Sequence, residues 1–429
     1  MTRCSGRLRG LFRPHLATFV SFGAIQTAQL LLPLLALPWL ARVLGPDAFG
    51  LLMYMSLVSV IIGLVMDWGF TLGAVREAAA CRGREGALSA LLGQVLSAKI
   101  LLSSGCLLGS LALLPLLPHA AAHPGAYALA VMAGLARGLN PTWFFQGIGR
   151  AMRRMACWDV CSSALVLLLA FACVRAADDW PRYLLLTACC KGFAYLWLTA
   201  RLAGRYRVLP TLGGGWRALA RTRMLFAGTL ASLVYNNGAQ LLLGFFLPPA
   251  QMGMLVAADK IVRAVVSVSN PVTQTLFPEI CALRGAQPGR AASMLRWSLG
   301  GTAAVMLCAT AAVWFAAPWL IRLALGAAYA EATPILRIMA FLAPVLACNM
   351  VLGTQTLVAF GKERALIATQ AVMCVLSLPM AAILAYVWGV EGGACLSLLV
   401  ESGIFGGLSW SVLRFCPIAF FAPATKGAR

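Results

Sequence analysis

The sequence predicts an all-α polytopic membrane protein, with about twelve transmembrane helices in two six-helix lobes. Three observations carry that expectation. The 429 residues are 61% hydrophobic and only 11% charged, with a mean hydropathy of +0.86, which excludes an ordinary soluble domain. Apolar stretches of about twenty residues, enough to cross a bilayer as a helix, recur along the chain. The basic residues between them crowd alternate loops.

The first span, 16–40, follows Arg3, Arg7, Arg9 and Arg13. It exceeds the roughly 7–15-residue core of a cleavable signal and is expected to remain as a span. Spans at 48–72, 87–115, 125–147, 156–176 and 181–202 complete a first lobe, residues 1–204. A Gly- and Arg-rich stretch, 205–218, reads as a cytoplasmic connector. Spans at 219–247, 251–281, 293–318, 333–359, 363–388 and 391–413 form the second lobe, residues 219–429. Pro33, Pro38, Pro271 and Pro379 fall inside spans and are expected to bend them. Gly105 with Gly109, Gly134 with Gly138, and Gly403 with Gly407 have the spacing of close helix contacts.

Of the 34 Lys and Arg, 24 lie in loops on one side, and only Arg42, Arg175, Arg182 and Arg322 lie on the other. The positive-inside rule then places both termini in the cytoplasm. The net charge of +21 is divided between short loops and span interiors, so nucleic acid is not an expected partner. The 14 cysteines are scattered and no metal-ligand spacing is present; no cofactor is expected. Outer loops are too short for the catalytic segment of a membrane polymerase or ligase, and an enzyme is not expected.

A repeat links the halves. Leu44-Gly45-Pro46-Asp47-Ala48-Phe49-Gly50 matches Leu247-Pro248-Pro249-Ala250-Gln251-Met252-Gly253 at an offset of 203, sharing Leu, Pro and Gly. Two halves with an even number of spans share one orientation, so they form a parallel pseudo-two-fold repeat with a cavity expected between the bundles.

Six bases remain inside spans: Lys99, Arg137, Lys191, Lys260, Arg263 and Arg337. Each would cost roughly 2.5–3.5 kcal/mol facing lipid, and six together exceed the usual stability of a protein. They are expected to line a wet cavity, with Arg337 near enough to a span end to snorkel. The clearly interior acids are Asp67, Asp259 and Glu401. Surplus positive charge points to an anionic cargo. Asp259 and Arg263, four residues apart, can pair on one helix face, with Lys260 about 100° away. Asp67 and Arg76 are gate candidates, and Asp259 and Glu401 are candidates for coupling to H+ or Na+.

Several segments together resemble the Wzx-type polysaccharide flippases of the MOP (multidrug/oligosaccharidyl-lipid/polysaccharide) exporter superfamily. They are Leu40-Ala41-Arg42-Val43-Leu44-Gly45-Pro46 with Phe49-Gly50, Asp67-Trp68-Gly69-Phe70 with Arg76-Glu77-Ala78, and Trp143-Phe144-Phe145-Gln146-Gly147. Ala257-Ala258-Asp259-Lys260 follows, running to Pro271, Gln274 and Phe277-Pro278-Glu279. The resemblance implies a MATE-like fold, alternating access and a cationic lumen. It also implies a lipid-linked oligosaccharide on a polyprenyl diphosphate, and polymerase and chain-length proteins as partners. A cation-coupled drug exporter of the same superfamily is the alternative, though its cationic drugs should favour an acidic interior.

Overall fold

The computed structural model describes residues 4–149, 152–208, 211–233 and 237–416, with side chains from Leu35 onward except for scattered positions. The side chains of Arg3, Arg7, Arg9, Arg13, Arg150, Arg284, Lys426 and Arg429, and of Pro33, Pro271, Gln274 and Pro278, lie outside those described. The described residues are helical almost throughout and contain no strand.

The helices run in order α1 Cys4–Asp67, α2 Phe70–Ala80, α3 Glu85–Leu113, α4 Pro118–Ala122, α5 Pro124–Gly138, α6 Thr142–Ile148, α7 Met152–Cys173 and α8 Trp180–Arg205. Then follow α9 Leu212–Leu233, α10 Ala239–Phe246, α11 Pro249–Ser267, α12 Asn270–Ala286, α13 Pro288–Ala324, α14 Ala332–Ala340, α15 Leu342–Met350 and α16 Glu363–Phe415. A π-helix, Val351–Val358, continues α15. Backbone breaks at Gly45 and Gly389 divide α1 and α16 into two rods each. Among the described residues, seven helical stretches are long and apolar enough to cross a membrane, and Glu363–Phe415 holds two rods. Joined across their short breaks, the described helices fall at the twelve predicted spans.

One break sits at an expected proline, Pro271 in the first turn of α12, whereas α1 runs through Pro33 and Pro38 to its break at Gly45. Helix α16 runs through Pro379 and turns at Gly389, whose φ of 57° only glycine adopts readily. The expected connector 205–218 is helical from Leu212 onward. The second span breaks at Trp68 and Gly69, with φ of 45° and 77°. A tryptophan there is strained. It is held by stacking on Phe226 at 3.6 Å and by donation from its Nε1 to Leu219 O at 3.1 Å.

The chain divides into two compact units, residues 1–44 with 55–230, and residues 45–54 with 231–429. Within the first, Gly134 and Gly138 let α5 lie against α1: a Cβ at Gly134 would be 2.7 Å from Ile62 Cβ, and one at Gly138 would overlap Met66. Gly403 and Gly407 make the same kind of approach in the second unit, against Met373 and Thr369. Around Gly105 and Gly109 nothing lies within 4 Å, so that pair is no contact.

The repeat is visible in packing inside the second unit. A Cβ at Gly50 would strike the Pro249 carbonyl, and one at Gly253 would lie 3.0 Å from Pro46 O. The offset of 203 maps Gly50 onto Gly253 and Pro46 onto Pro249, so the contact is reciprocal, the signature of a local two-fold. The rods beginning at Pro46 and Pro249 also break alike, before Phe70 and before Asn270. Gly50→Ala should therefore destabilise the purified protein by about 3 kcal/mol or more, read as a lowered Tm. Gly105→Ala should leave Tm unchanged.

Candidate functional site

The charged sites begin with a broken helix. Pro141 has no N–H and biases Asn140 away from helical geometry, so the fourth span stops at Gly138 and restarts at Thr142. Asn140 Oδ1 accepts the Thr142 N–H at 2.9 Å, which leaves the Gly138 carbonyl without its helical donor. Lys99 of α3 supplies the replacement, donating to Gly138 O at 2.5 Å and Asn140 O at 3.1 Å. Thr199 of α8 donates to Leu139 O at 3.3 Å. Lys99 is only 3% exposed. It clamps the break rather than lining an open cavity, because a desolvated ammonium takes the nearest strong acceptors.

Arg137, in the last turn of α5, keeps an exposed guanidinium. Gly63 makes room for it, since a Cβ there would be 3.1 Å from Arg137 Cβ. Arg137 lines a cavity of about 140 Å³ together with Asp67, Thr71, Asn140 and Trp143. Asp67 accepts from the Thr71 hydroxyl at 2.6 Å, and its charge also acts on Lys99. Among the described residues no ion pair joins Arg137 to an acid.

Lys191 is half-buried and has its own carboxylate. Its Nζ lies 2.6 Å from Asp159 Oδ1, 3.0 Å from Asp159 O and 2.6 Å from Ser163 Oγ. Tyr195 donates to the same Asp159 oxygen. Arg137 is near enough for its charge to act on Lys191 and Tyr195. This corrects the expectation that Asp67, Asp259 and Glu401 are the interior acids: Asp159 is a fourth. Lying five residues past Arg154 it resembles an interfacial charge, but α7 starts at Met152 and carries it two turns inward. The spacings Asp159–Ser163 and Lys191–Tyr195, each four residues, were the signal available in the sequence.

In the second unit Asp259 is buried, and Arg263 Nε donates to its two oxygens at 2.9 and 2.8 Å. Gln240 approaches Asp259 Oδ2 at 3.5 Å. The Arg263 and Lys260 side chains remain exposed. Glu401, 6% exposed, accepts from Asn349 Nδ2 at 2.8 Å, next to the π-helix. Arg337 stands apart, its guanidinium 4.8 Å over the Trp314 ring.

Of the two gate candidates, Asp67 lines the small cavity. Arg76 is exposed on α2, and the ion pair there joins Glu77 to Arg221 of α9 at 3.6 Å. The structure thus gathers Asp67, Lys99 and Arg137, with Lys191 and Asp159 beside them, and separately Asp259 with Arg263. Among the described residues, no group of three or more His, Cys, Asp and Glu is placed to hold a metal ion.

A family model described as polysaccharide biosynthesis protein matches residues 16–283. The chain belongs to that family. A protein of Escherichia coli (strain K12) named "Putative O-antigen transporter" is 24% identical over 417 residues, covering 92% of this chain and 95% of its own. A protein of the same name from Shigella dysenteriae is 23% identical, covering 88% and 94%. Among solved structures, the lipid II flippase MurJ in an inward closed conformation aligns with a TM-score of 0.68 at 13% identity, over 94% of this chain and 90% of its own. An inward-facing multidrug resistance MATE family transporter of the MOP superfamily aligns at 0.65 with 14% identity, over 91% and 95%. The family member is a multi-pass membrane protein with the MOP transporter fold.

Lys99→Met should lower the Tm of the purified protein, since each orphaned buried carbonyl costs about 1–3 kcal/mol. Asp159→Asn should lower it as well by leaving Lys191 unpaired; Tyr195→Phe, which spares the ion pair, should lower it less.

Proposed function

We propose that this chain is a flippase that moves polyprenyl-diphosphate-linked oligosaccharide repeat units from the cytoplasmic to the outer leaflet by alternating access. It would serve O-antigen or related polysaccharide biosynthesis in the bacterial inner membrane, with both termini cytoplasmic. The observation that carries the reading is an exposed arginine inside the fourth predicted span. Arg137 opens onto a polar cavity, within reach of the field of Lys191, with Asp67 in the same cavity wall. Such a site favours an anion, and diphosphate oxygens accept the paired donors of a guanidinium. Arg263 and Lys260 offer a second exposed pair of bases. Family membership and the names of the relatives support the cargo class. Polymerase and chain-length proteins would receive the flipped unit.

Asp259 and Glu401 are the groups proposed to couple transport to H+ or Na+, because both are buried carboxylates. Glu401→Gln should abolish gradient-driven export while leaving Tm near that of the parent; unchanged export would remove Glu401 from the coupling scheme.

The direct test is complementation. Deletion should leave carrier-linked single repeat units on the inner leaflet and no surface polysaccharide. Arg137→Ala, and Lys260→Ala with Arg263→Ala, should fail to restore surface polysaccharide by about ten-fold or more at equal membrane abundance. Full restoration by both variants would refute the cationic site. Accumulation of the units outside would point to a polymerase instead.

A further inference from the structure

The first unit holds a second cavity besides the one described above. It has a volume of about 850 Å³ and lies where α2, α6 and α8 end and α3 and α7 begin. Arg82, Arg154, Arg201 and Arg205 line it with Trp158 and Trp197. All four arginines belong to the loops that charge asymmetry assigns to the cytoplasmic side. One carboxylate, Glu85, also lines it, and among the described residues none of the four arginines forms an ion pair.

The wall is organised in advance of any ligand. Arg82 Nε donates to Gly147 O at 2.8 Å, which fixes the guanidinium and leaves its outer amino groups as donors. Gly149, at φ 65°, closes α6 in the left-handed region. A Cβ there would lie 2.9 Å from the Arg82 guanidinium, so the position needs glycine on both counts. Arg201 lies 5.7 Å from the Trp197 ring centre. Behind them, Phe144 meets Tyr206 edge-on at 5.3 Å, and Ser89 Oγ donates to Tyr206 O at 2.7 Å.

Four guanidinium groups around one cavity repel each other until an anion enters. Guanidinium forks match phosphate oxygens in pairs, and basic pockets between spanning helices on the cytoplasmic side take anionic headgroups. The surroundings distinguish a lipid from a free anion. Beyond Trp197, α8 exposes Phe193 at 68% and Leu196 at 58%, and α7 exposes Leu165 and Leu168, an apolar flank for chains. Tryptophans at the rim suit the headgroup level of a membrane.

We propose that this cavity is a lipid-phosphate site: the arginines hold the phosphate headgroup of an anionic lipid whose tails lie along α7 and α8. The inference does not rest on the cargo reading. Its test is native mass spectrometry of the full-length protein, delipidated in neutral detergent and titrated with cardiolipin, phosphatidylglycerol, phosphatidylcholine, undecaprenyl diphosphate or inorganic pyrophosphate. The parent should hold anionic lipids in preference to phosphatidylcholine. R201Q/R205Q should weaken that binding about ten-fold or more. R201K/R205K, which keeps charge but loses the forks, should fall between, and it decides the matter if the Gln variant does not fold. Arg322→Gln, at a residue that does not line the cavity, should bind as the parent does. A loss shared by phospholipids and undecaprenyl diphosphate marks a general lipid site; a loss confined to the diphosphate marks a carrier-lipid site. Unchanged binding in both double variants, or pyrophosphate binding as tightly as lipid, would overturn the proposal.

Discussion

The hydrocarbon core of a bilayer offers no water, so every backbone break and every charge at that depth must be satisfied within the protein. The rest of this structure depends on that constraint. Pro141 opens the fourth span, and the fold is workable there because Lys99 and Thr199 bring donors to the carbonyls around the break. Asp259 is buried and paired with Arg263, and Asp159 receives Lys191 and Tyr195. Charges that look uncompensated along the chain are thus largely structural. Arg137, Lys260 and Arg263 are the exposed ones among them, Arg263 while paired to Asp259.

Much of the fold was legible from the residues. Hydropathy over windows of about twenty residues locates rods, because bilayer thickness fixes their length whatever they pack against. The weak match of Leu44–Gly50 with Leu247–Gly253 proved to be a real contact, since glycines at equivalent positions are what two helices need to cross closely. The helix breaks were less legible. Pro379 reads as an interruption yet sits in continuous helix, while Trp68, an unlikely residue for positive φ, turns the chain because Phe226 and Leu219 hold its indole.

The candidate site was legible as a list of residues and not as a set of partners. The pair Asp259–Arg263 could be read because both lie on one helix, where spacing determines neighbours. The partners of Lys99 are backbone carbonyls, which carry no signature in a sequence, and those of Lys191 lie 28 and 32 residues away. The break at Asn140-Pro141 was visible, but which side chain would cover it was a tertiary fact. The same holds for the arginine-lined cavity, whose members were counted only as loop charges.

The central claim is that the remaining interior bases recognise phosphate on a lipid carrier. The most direct measurement compares flipping rates in proteoliposomes for two fluorescent lipid-linked saccharides with the same polyprenyl chain and sugar, one joined through a diphosphate and one through an uncharged ether. The account predicts rapid protein-dependent flipping of the diphosphate lipid and none above the protein-free rate for the ether. Equal protein-dependent rates for the two would contradict it.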